Sequence, residues 1–219
     1  MVEIKDLLDL DKTIAKKLFE GKTYPWEVLD EIKGFILELG PTLDPAEYDN
    51  PAEGVWVAKD AKIFPSAWLG APCIIDHGAE VRHCAFIRGS AIVGKNAVVG
   101  NSVELKNVVL FDNVQTPHYN YVGDSILGYK AHMGAGSITS NVKSDKTLVV
   151  IKAEEEQIET KRKKVGAMLG DCVEVGCNSV LNPGTVIGRH SNVYPTSSVR
   201  GVVPADSIYK GAGKIVSKN

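Results

Sequence analysis

The sequence predicts a mainly β protein that folds as a solenoid of short strands, and three observations lead to this prediction. A large aliphatic residue recurs every six positions, a small or β-branched residue follows it by four positions, and the pattern returns after an interruption. A period of six fits neither an amphipathic helix nor a hairpin ladder, but it fits short strands joined by tight corners. The large residues are Val57, Ile63, Leu69, Ile75, Val81, Ile87, Val93, Val99, Leu105 and Phe111, and later Leu169, Val175, Leu181, Ile187, Val193 and Val199.

Residues 1–53 have a different pattern, which predicts an N-terminal helical segment and linker. Apolar residues recur at helical spacing over 7–18 and again over 26–39, after which a Gly-Pro pair ends the second helix. We expect this amphipathic pair to pack on the solenoid or on a neighbouring subunit. The prolines and acidic residues of 41–51 predict an irregular linker.

The solenoid is predicted to span residues 54–204, followed by a C-terminal tail at 205–219. Two departures from the six-residue period predict excursions, near 112–121 and at 142–165. In the first, Pro117 stands where an inward aliphatic residue is due, so a loop is expected to leave the solenoid there. The second is highly charged and predicts a solvated hairpin whose two strands carry opposite charge.

Composition and charge exclude several classes of partner. The 219 residues contain 25 Lys and Arg against 27 Asp and Glu, a formal net charge of −2. Nothing in that balance favours nucleic acid or an anionic membrane surface. No apolar run approaches the ~20 residues of a membrane span, and the N-terminus lacks the apolar core of a signal peptide. The four cysteines have no framework spacing, so a cytoplasmic protein with reduced thiols is predicted.

Two basic residues and one histidine are the first candidates for a site. Arg88 and Lys106 are eighteen positions apart; if three six-residue units make one coil, the two residues stack on the same face about 4.8 Å apart. Stacked cations repel unless an anion lies between them, which suggests an anion site; two solvated surface charges are the alternative. His118 lies beside the break in the repeat; an imidazole is the usual side chain for a general base near neutrality, and a polar surface role is the alternative.

Three motifs have the composition and spacing of a known family: VELKN at 103–107, HYNYVGD at 118–124 and GAGSITSN at 134–141. Together with the repeat, they make the chain resemble the hexapeptide-repeat acyltransferases. Residues 86–204 resemble the acetyltransferase domain of the bifunctional N-acetylglucosamine-1-phosphate uridyltransferase/glucosamine-1-phosphate acetyltransferase family. The resemblance implies a left-handed parallel β-helix and a homotrimer. The resemblance does not extend to the family's uridyltransferase domain, which residues 1–53 are expected to be too short to hold.

The resemblance also implies roles for individual residues. His118 corresponds to the family's general base, and His132 stands where the family has an Asn that contacts the sugar. Acetyl-CoA is implied as co-substrate, and no metal is required. Lys210 and Lys214 lie near the position of an Arg that meets coenzyme A phosphates, where this chain has Ala212. The residues implied to bind the sugar phosphate and the amino sugar are Arg88, Lys106, Tyr121, His132, Asn141 and Lys164.

Three hypotheses about function follow. The first is an acetyl-CoA-dependent N-acetyltransferase that acts on an amino-sugar phosphate similar to glucosamine 1-phosphate. The second is a non-catalytic trimer that binds a sugar phosphate or a nucleotide sugar as a scaffold. The third is a metal-dependent enzyme with His77, His83 and His118 at a trimer interface, although His77 and His83 are six positions apart and would lie on different faces. The expected partners are a small sugar phosphate, further copies of this chain and a separate nucleotidyltransferase.

Overall fold

The computed structural model describes residues 2–153 and 156–218, and most of its regular structure is short β-strands. In chain order the strands are β1 (Tyr48–Ala52), β2 (Val55–Ala58), β3 (Lys62–Ile63), β4 (Trp68–Leu69), β5 (Cys73–Ile75), β6 (Glu80–Val81), β7 (Phe86–Ile87), β8 (Ala91–Val93), β9 (Val98–Asn101), β10 (Glu104–Leu110), β11 (Gln115–His118), β12 (Tyr121–Leu127), β13 (His132–Met133), β14 (Ile138–Thr139), β15 (Val150–Lys152), β16 (Gln157–Glu159), β17 (Ala167–Leu169), β18 (Glu174–Val175), β19 (Val180–Leu181), β20 (Thr185–Ile187), β21 (Asn192–Val193), β22 (Ser198–Val199), β23 (Val202–Val203), β24 (Ser207–Tyr209) and β25 (Ile215–Ser217).

The strands wind into a parallel solenoid with three faces. Face 1 contains β2, β5, β8, the second halves of β10 and β12, β17, β20 and β23. Face 2 contains β3, β6, β9, β11, β13, β18, β21 and β24. Face 3 contains β4, β7, the first halves of β10 and β12, β14, β19 and β22. With about eight turns, the solenoid confirms the predicted fold class, a β-helix built from six-residue repeats.

Face 1 is apolar on both of its sides. Side chains alternate along a strand, and the inward pair of one coil, Cys73 and Ile75, is fully buried. The residue between the two members of each inward pair points outward. From the second coil onward this outward residue is apolar too. Burying such a side chain contributes about 1.5–3 kcal/mol, so this outer surface requires a cover. The outward residues, all buried except the last, are Ile74, Ile92, Val109, Ile126, Met168, Val186 and Val202.

The N-terminal segment provides much of that cover. Its two α-helices are α1 (Ile4–Leu7) and α2 (Ile32–Leu39), and α2 packs on β8 and β10. Trp26, Ile32 and Ile36 are almost completely buried. The segment therefore packs on the solenoid of its own chain, one of the two expected arrangements. Its remaining helical turns are 3-10 in type, at Leu10–Lys12, Lys16–Phe19, Pro25–Asp30 and Gly40–Thr42.

Short pieces thus replace the two longer helices that the apolar spacing predicted. The reason is that the solenoid takes hydrogen-bonding groups that a continuous helix would use itself. Asp171 N–H donates to the Leu7 carbonyl (2.9 Å), and Asp112 N–H donates to the Lys12 carbonyl (3.0 Å). The linker also differs from its prediction, because β1 within it pairs antiparallel with β2.

Residues 112–121, all of them described, stay within the solenoid, so the predicted excursion near these positions is wrong. Val99 pairs with Thr116, seventeen positions further on, which makes this coil one residue shorter than a regular one. Thr116 therefore takes the inward place that was assigned to Pro117. It is fully buried, and its hydroxyl donates to the Val98 carbonyl (3.0 Å).

The same shortening changes the role of one residue in the repeat. Leu110, and not Phe111, pairs with Val93 inside the coil. Phe111 is nevertheless fully buried, because its ring packs edge-on against Phe19 of the N-terminal segment, with centroids 5.7 Å apart. Aliphatic spacing alone could not distinguish these two forms of burial.

The 142–165 segment lengthens one coil, so that β12 pairs with β17 across 42 positions. Apart from positions 154 and 155, which lie outside the described residues, it forms an antiparallel hairpin of β15 and β16. Val149 and Ile151 are fully buried against Gly184. One side of the hairpin therefore extends the cover of face 1. In the C-terminal tail, β25 pairs antiparallel with β24. No helix among the described residues is both long and apolar enough to cross a membrane.

Candidate functional site

A cavity of about 730 Å³ lies where the N-terminal segment, the corner between faces 3 and 1, and the hairpin meet. Cationic side chains dominate its lining, which gives it a positive potential. Its charged and amide-bearing residues are Asp30, Lys33, Arg88, Lys106, Asn107, Asp124, Lys161, Arg162, Lys163 and Lys164.

Arg88 and Lys106 occupy adjacent coils at this corner, as the eighteen-residue spacing predicted. Each has an acidic partner. The Arg88 guanidinium donates to Glu104 (2.8 Å), and the Lys106 ammonium donates to Asp124 (2.8 Å). The repulsion between the two cations is therefore already offset within the chain. Arg88 keeps 48% of its side-chain surface exposed, so its donors can reach a bound anion.

Asp124 is the centre of the corner, and sequence reasoning gave it no role. Its side chain is only 5% exposed. Besides Lys106, its carboxylate accepts hydrogen bonds from Asn107 Nδ2 (3.0 Å) and Asn141 Nδ2 (2.5 Å). A buried carboxylate with several donors holds them in fixed positions. The sequence feature that could have indicated Asp124 is its position as the last residue of the His-x-x-Tyr-x-Gly-Asp motif.

Tyr121 joins the same network. Asn141 Nδ2 donates to the Tyr121 hydroxyl oxygen (3.2 Å). Burial raises the pKa of the Tyr121 phenol, and the nearby Asp124 charge adds to that shift, so the phenol keeps its proton as a donor. Gly123 permits this arrangement, because a Cβ there would lie 2.5 Å from the Tyr121 hydroxyl oxygen.

Lys164 reaches the cavity from the hairpin side. It forms an isolated antiparallel bridge with Val142 at the base of the excursion and lines the cavity together with Arg88 and Lys106. The structure thus brings together five of the predicted site residues. Arg88, Lys106 and Lys164 line the cavity. Asn141 donates both to the Asp124 carboxylate and to the Tyr121 hydroxyl oxygen.

The remaining predicted residues lie elsewhere in the chain. His118 ends β11 on face 2, and its carbonyl accepts from Gly136 N–H (3.0 Å). His132, on the neighbouring strand of that face, contacts Glu174 through Nδ1 (2.7 Å). Neither lines the basic cavity. Lys210 and Lys214 are also distant from it, joined by a backbone hydrogen bond (2.8 Å) at the turn between β24 and β25.

Four basic residues of the cavity were not predicted as site residues. Lys33 belongs to α2, and Lys161, Arg162 and Lys163 precede Lys164. The run KRKK was visible in the sequence, but it was interpreted as a solvated strand of the hairpin. Only the fold shows that this strand turns back toward the corner of the solenoid.

The structure gives no geometric support to the metal-dependent hypothesis. His77 contacts Asp60 (3.0 Å) and His83 contacts Ser66 (3.1 Å), at two different corners of the solenoid. Within the described part of the chain, no three His, Cys, Asp or Glu side chains are placed to hold a metal ion together.

Comparison with known proteins gives relatives of one kind. The chain is 32% identical over 111 residues to the bifunctional protein GlmU of Methanococcus maripaludis, a match that covers 50% of this chain and 27% of the relative. It is 31% identical over 102 residues to the bifunctional sugar-1-phosphate nucleotidylyltransferase/acetyltransferase of Sulfurisphaera tokodaii, covering 47% of this chain and 25% of the relative. The chain thus spans about a quarter of the length of these relatives, and the matches confirm the resemblance inferred from the motifs.

The chain is also similar to solved structures and to one family model. The N-acyltransferase AntD from Bacillus cereus, in complex with dTDP and coenzyme A, is 15% identical with a TM-score of 0.34, over 79% of this chain and 91% of that chain. PerB from Caulobacter crescentus, in complex with CoA and GDP-perosamine, is 17% identical with a TM-score of 0.26, over 73% and 56%. Residues 69–193 match the model of the GMPPB C-terminal domain. Since this match covers more than half of the chain, the protein belongs to the GMPPB C-terminal domain family.

Proposed function

We propose that this protein transfers an acetyl group from acetyl-CoA to the amino group of a sugar phosphate. The observation that carries the proposal is the convergence of Arg88, Lys106 and Lys164 on one cavity, with Tyr121 and Asn141 tied into the same corner. Fixed cations and amide donors in this arrangement suit a phosphate and the hydroxyl groups of a sugar. The acetyltransferase names of the relatives support the same reaction class.

The acceptor would lie along face 3. His118 stands just before this face, and Gly123, which pairs with Lys106, is five residues further on. At about 3.3 Å per residue, the two ends are on the order of 15 Å apart between backbone atoms, and side chains shorten the gap. The Arg88 and His118 side chains would cover most of this distance, and the acceptor, with its phosphate at Arg88 and its amine toward His118, would span only the remainder.

His118 would act as general base. The acceptor amine is protonated near pH 7 and cannot attack the thioester carbonyl until it loses that proton, which the imidazole would receive. Such a role is worth about 10²–10⁴-fold in rate. The new C–N bond forms as the oxyanion develops, and its collapse expels the coenzyme A thiolate. Ala135 N–H is a candidate donor for the oxyanion: it has no acceptor among the described residues, and the neighbouring Gly136 N–H bonds to the His118 carbonyl.

A homotrimer would enclose this open face. Trp68 and Phe86 lie in register with Glu104 and Tyr121 on the outer side of face 3, and they are 64% and 42% exposed. Exposed aromatic residues in a row are typical of an interface. In the proposed trimer, a neighbouring copy covers them, and Lys210 and Lys214 of the tail meet the phosphates of acetyl-CoA. The proposed compartment is the cytoplasm, and no metal takes part.

One observation favours a second candidate, a trimer that binds the sugar phosphate without chemistry. His132 replaces an amide that contacts the sugar in the resembling family, and here its ring is held by Glu174. The discriminating experiment measures coenzyme A release with acetyl-CoA and a panel of amino-sugar phosphates and nucleotide-linked amino sugars. Turnover of any of them supports the enzyme. Binding of sugar phosphates without turnover on the whole panel, and without binding of acetyl-CoA, would establish the scaffold.

A further inference from the structure

The basic cavity continues beyond the residues that one phosphate requires. Arg88 and Lys106 belong to the corner between faces 3 and 1. Other parts of the chain supply the rest of the lining, namely the 161–164 run after β16 and Lys33 of α2. A sugar monophosphate held at Arg88 and Lys106 would leave that part of the cavity unfilled.

The unfilled part has a large excess of positive charge. Seven cationic and two acidic side chains line the cavity. Three of the cations have acidic partners, in the pairs Arg88–Glu104, Lys106–Asp124 and Arg162–Asp30. The other four form no ion pair with any residue of 2–153 or 156–218; they are Lys33, Lys161, Lys163 and Lys164. All four are exposed, so their ammonium groups are free to contact an anion that enters the cavity.

The walls of the cavity are fixed by polar contacts. Asn107 Nδ2 donates to the Leu29 carbonyl (3.0 Å), which attaches the N-terminal segment to the corner. Arg162 Nη2 donates to the Glu27 carbonyl (3.0 Å) and contacts Asp30 (2.8 Å), which attaches the hairpin to the same segment. Three chain regions far apart in sequence are therefore joined around the cavity. A preformed cleft of this size is typical of small-molecule sites.

We propose that the cavity binds a diphosphate, so that the acceptor is a nucleotide-linked amino sugar and not a sugar monophosphate. The inference rests on the proposed function, because it takes the phosphate next to the sugar to lie at Arg88 and Lys106. The second phosphate then lies against Lys33 and Lys163. A single phosphate monoester carries at most about two negative charges, fewer than the four lysines of the lining that are unpaired among the described residues. The nucleoside would pack on the apolar part of the lining, formed by Leu29, Ala71 and Pro72.

Calorimetric titration of the full chain with inorganic phosphate, inorganic pyrophosphate and uridine diphosphate, without added metal, tests this inference. Wild type should bind pyrophosphate at least about tenfold more tightly than phosphate, as expected for one additional charged hydrogen bond. The double variant Lys33→Gln/Lys163→Gln should lose about tenfold or more of its pyrophosphate affinity, while its phosphate affinity stays within about threefold. Retained phosphate binding also shows that this variant is folded.

Lys146→Gln is the matched control. It lies in the same excursion, is exposed, and is not part of the cavity lining, so it should bind both anions as wild type does. Equal affinities for phosphate and pyrophosphate in wild type would overturn the inference, as would equal losses in the control and the double variant. The readout is independent of acetyl transfer. If the protein acetylates sugar monophosphates but binds pyrophosphate no more tightly than phosphate, this inference alone is refuted. If it binds pyrophosphate more tightly but acetylates no acceptor, only the proposed reaction is refuted.

Discussion

The two ends of face 3 differ in how completely one chain builds them. At the end that follows Lys106, the buried Asp124 carboxylate gathers three side-chain donors, and the N-terminal segment and hairpin enclose a cavity. At the opposite end, His118 is exposed, and His132 contacts a single carboxylate at the surface. Within this chain, the first end is covered by other segments, and the second is exposed.

In the proposed function, anion binding and proton transfer place different demands on the same scaffold. A phosphate site requires donors that are fixed and partly removed from water before the ligand arrives, and the proposed phosphate site lies at a corner of the solenoid beside its cover. The proposed base must reach both the amine and the thioester, and it lies on a surface over which a second surface could close. The predictions below test this division, from the largest expected effect to the smallest.

Replacing the exposed base should leave binding intact while removing chemistry. His118→Ala is expected to lower kcat for acetyl transfer by about 10²–10⁴-fold at pH 7, because its contribution is confined to the transition state. The dissociation constant of the acceptor should remain within about threefold. His190→Ala is a suitable control, since His190 is also exposed and its side chain contacts Asp206 (3.3 Å) at the corner between β20 and β21, away from His118. An unchanged kcat in His118→Ala would contradict the assignment.

Neutralising the buried carboxylate should affect folding as well as binding. Asp124→Asn is expected to reduce the free energy of unfolding by about 2–3 kcal/mol, because the Lys106 ammonium, only 27% exposed, loses its charged partner. Urea unfolding measures this loss. Glu104→Gln removes the more exposed partner of Arg88 and should leave stability close to that of wild type. If the two variants unfold alike, Asp124 is not the centre of the corner.

Removing the exposed guanidinium should weaken binding alone. Arg88→Ala is expected to bind sugar phosphates about ten- to a hundredfold more weakly, the effect of losing a charged hydrogen bond. Arg200 provides a control from the repeat itself: it follows Val199 on face 3 as Arg88 follows Ile87, but it lies outside the basic cavity. Arg200→Ala should bind as wild type does. Equal affinity in the Arg88 variant would favour the solvated-charge alternative.

The smallest effect is expected at the open end, on acceptor choice. An imidazole is larger than the amide it replaces and can be cationic, so His132 should select among amino sugars without driving the reaction. His132→Asn is expected to raise the relative kcat/KM for glucosamine 1-phosphate by a few-fold. Coenzyme A release over the acceptor panel measures this ratio. A variant whose ratios across the panel match those of wild type would remove His132 from the acceptor site.

Most of the binding corner could be predicted from sequence, because its residues recur at coil spacing. Arg88 and Lys106 are one coil apart, and the structure places them side by side. Asp124 could have been added, since it is one short coil after Asn107 and their side chains do meet. Lys33 could not, because its place depends on how α2 packs on face 1.

The six-residue spacing gave a wrong prediction where one coil is a residue shorter than the others. Pro117 seemed to force the chain outward, but a coil one residue shorter places Thr116 inside and keeps the strand paired. A buried hydroxyl that bonds to the neighbouring strand's carbonyl substitutes for an aliphatic side chain at little cost. A search for an aliphatic residue at every sixth position therefore misses Thr116.

The sequence by itself determined the solenoid. Every coil has to pack its inward side chains in the same way, so large aliphatic residues recur at a fixed spacing along the chain. It also determined the residues that stack from coil to coil. Only the tertiary structure decided what covers the outward aliphatic row of face 1, and hence where the walls of the basic cavity stand. The KRKK run has no periodic partner, and it reaches the corner only because the hairpin buries Val149 and Ile151 on the solenoid. Contacts between regions this far apart are selected by packing, and no local spacing encodes them.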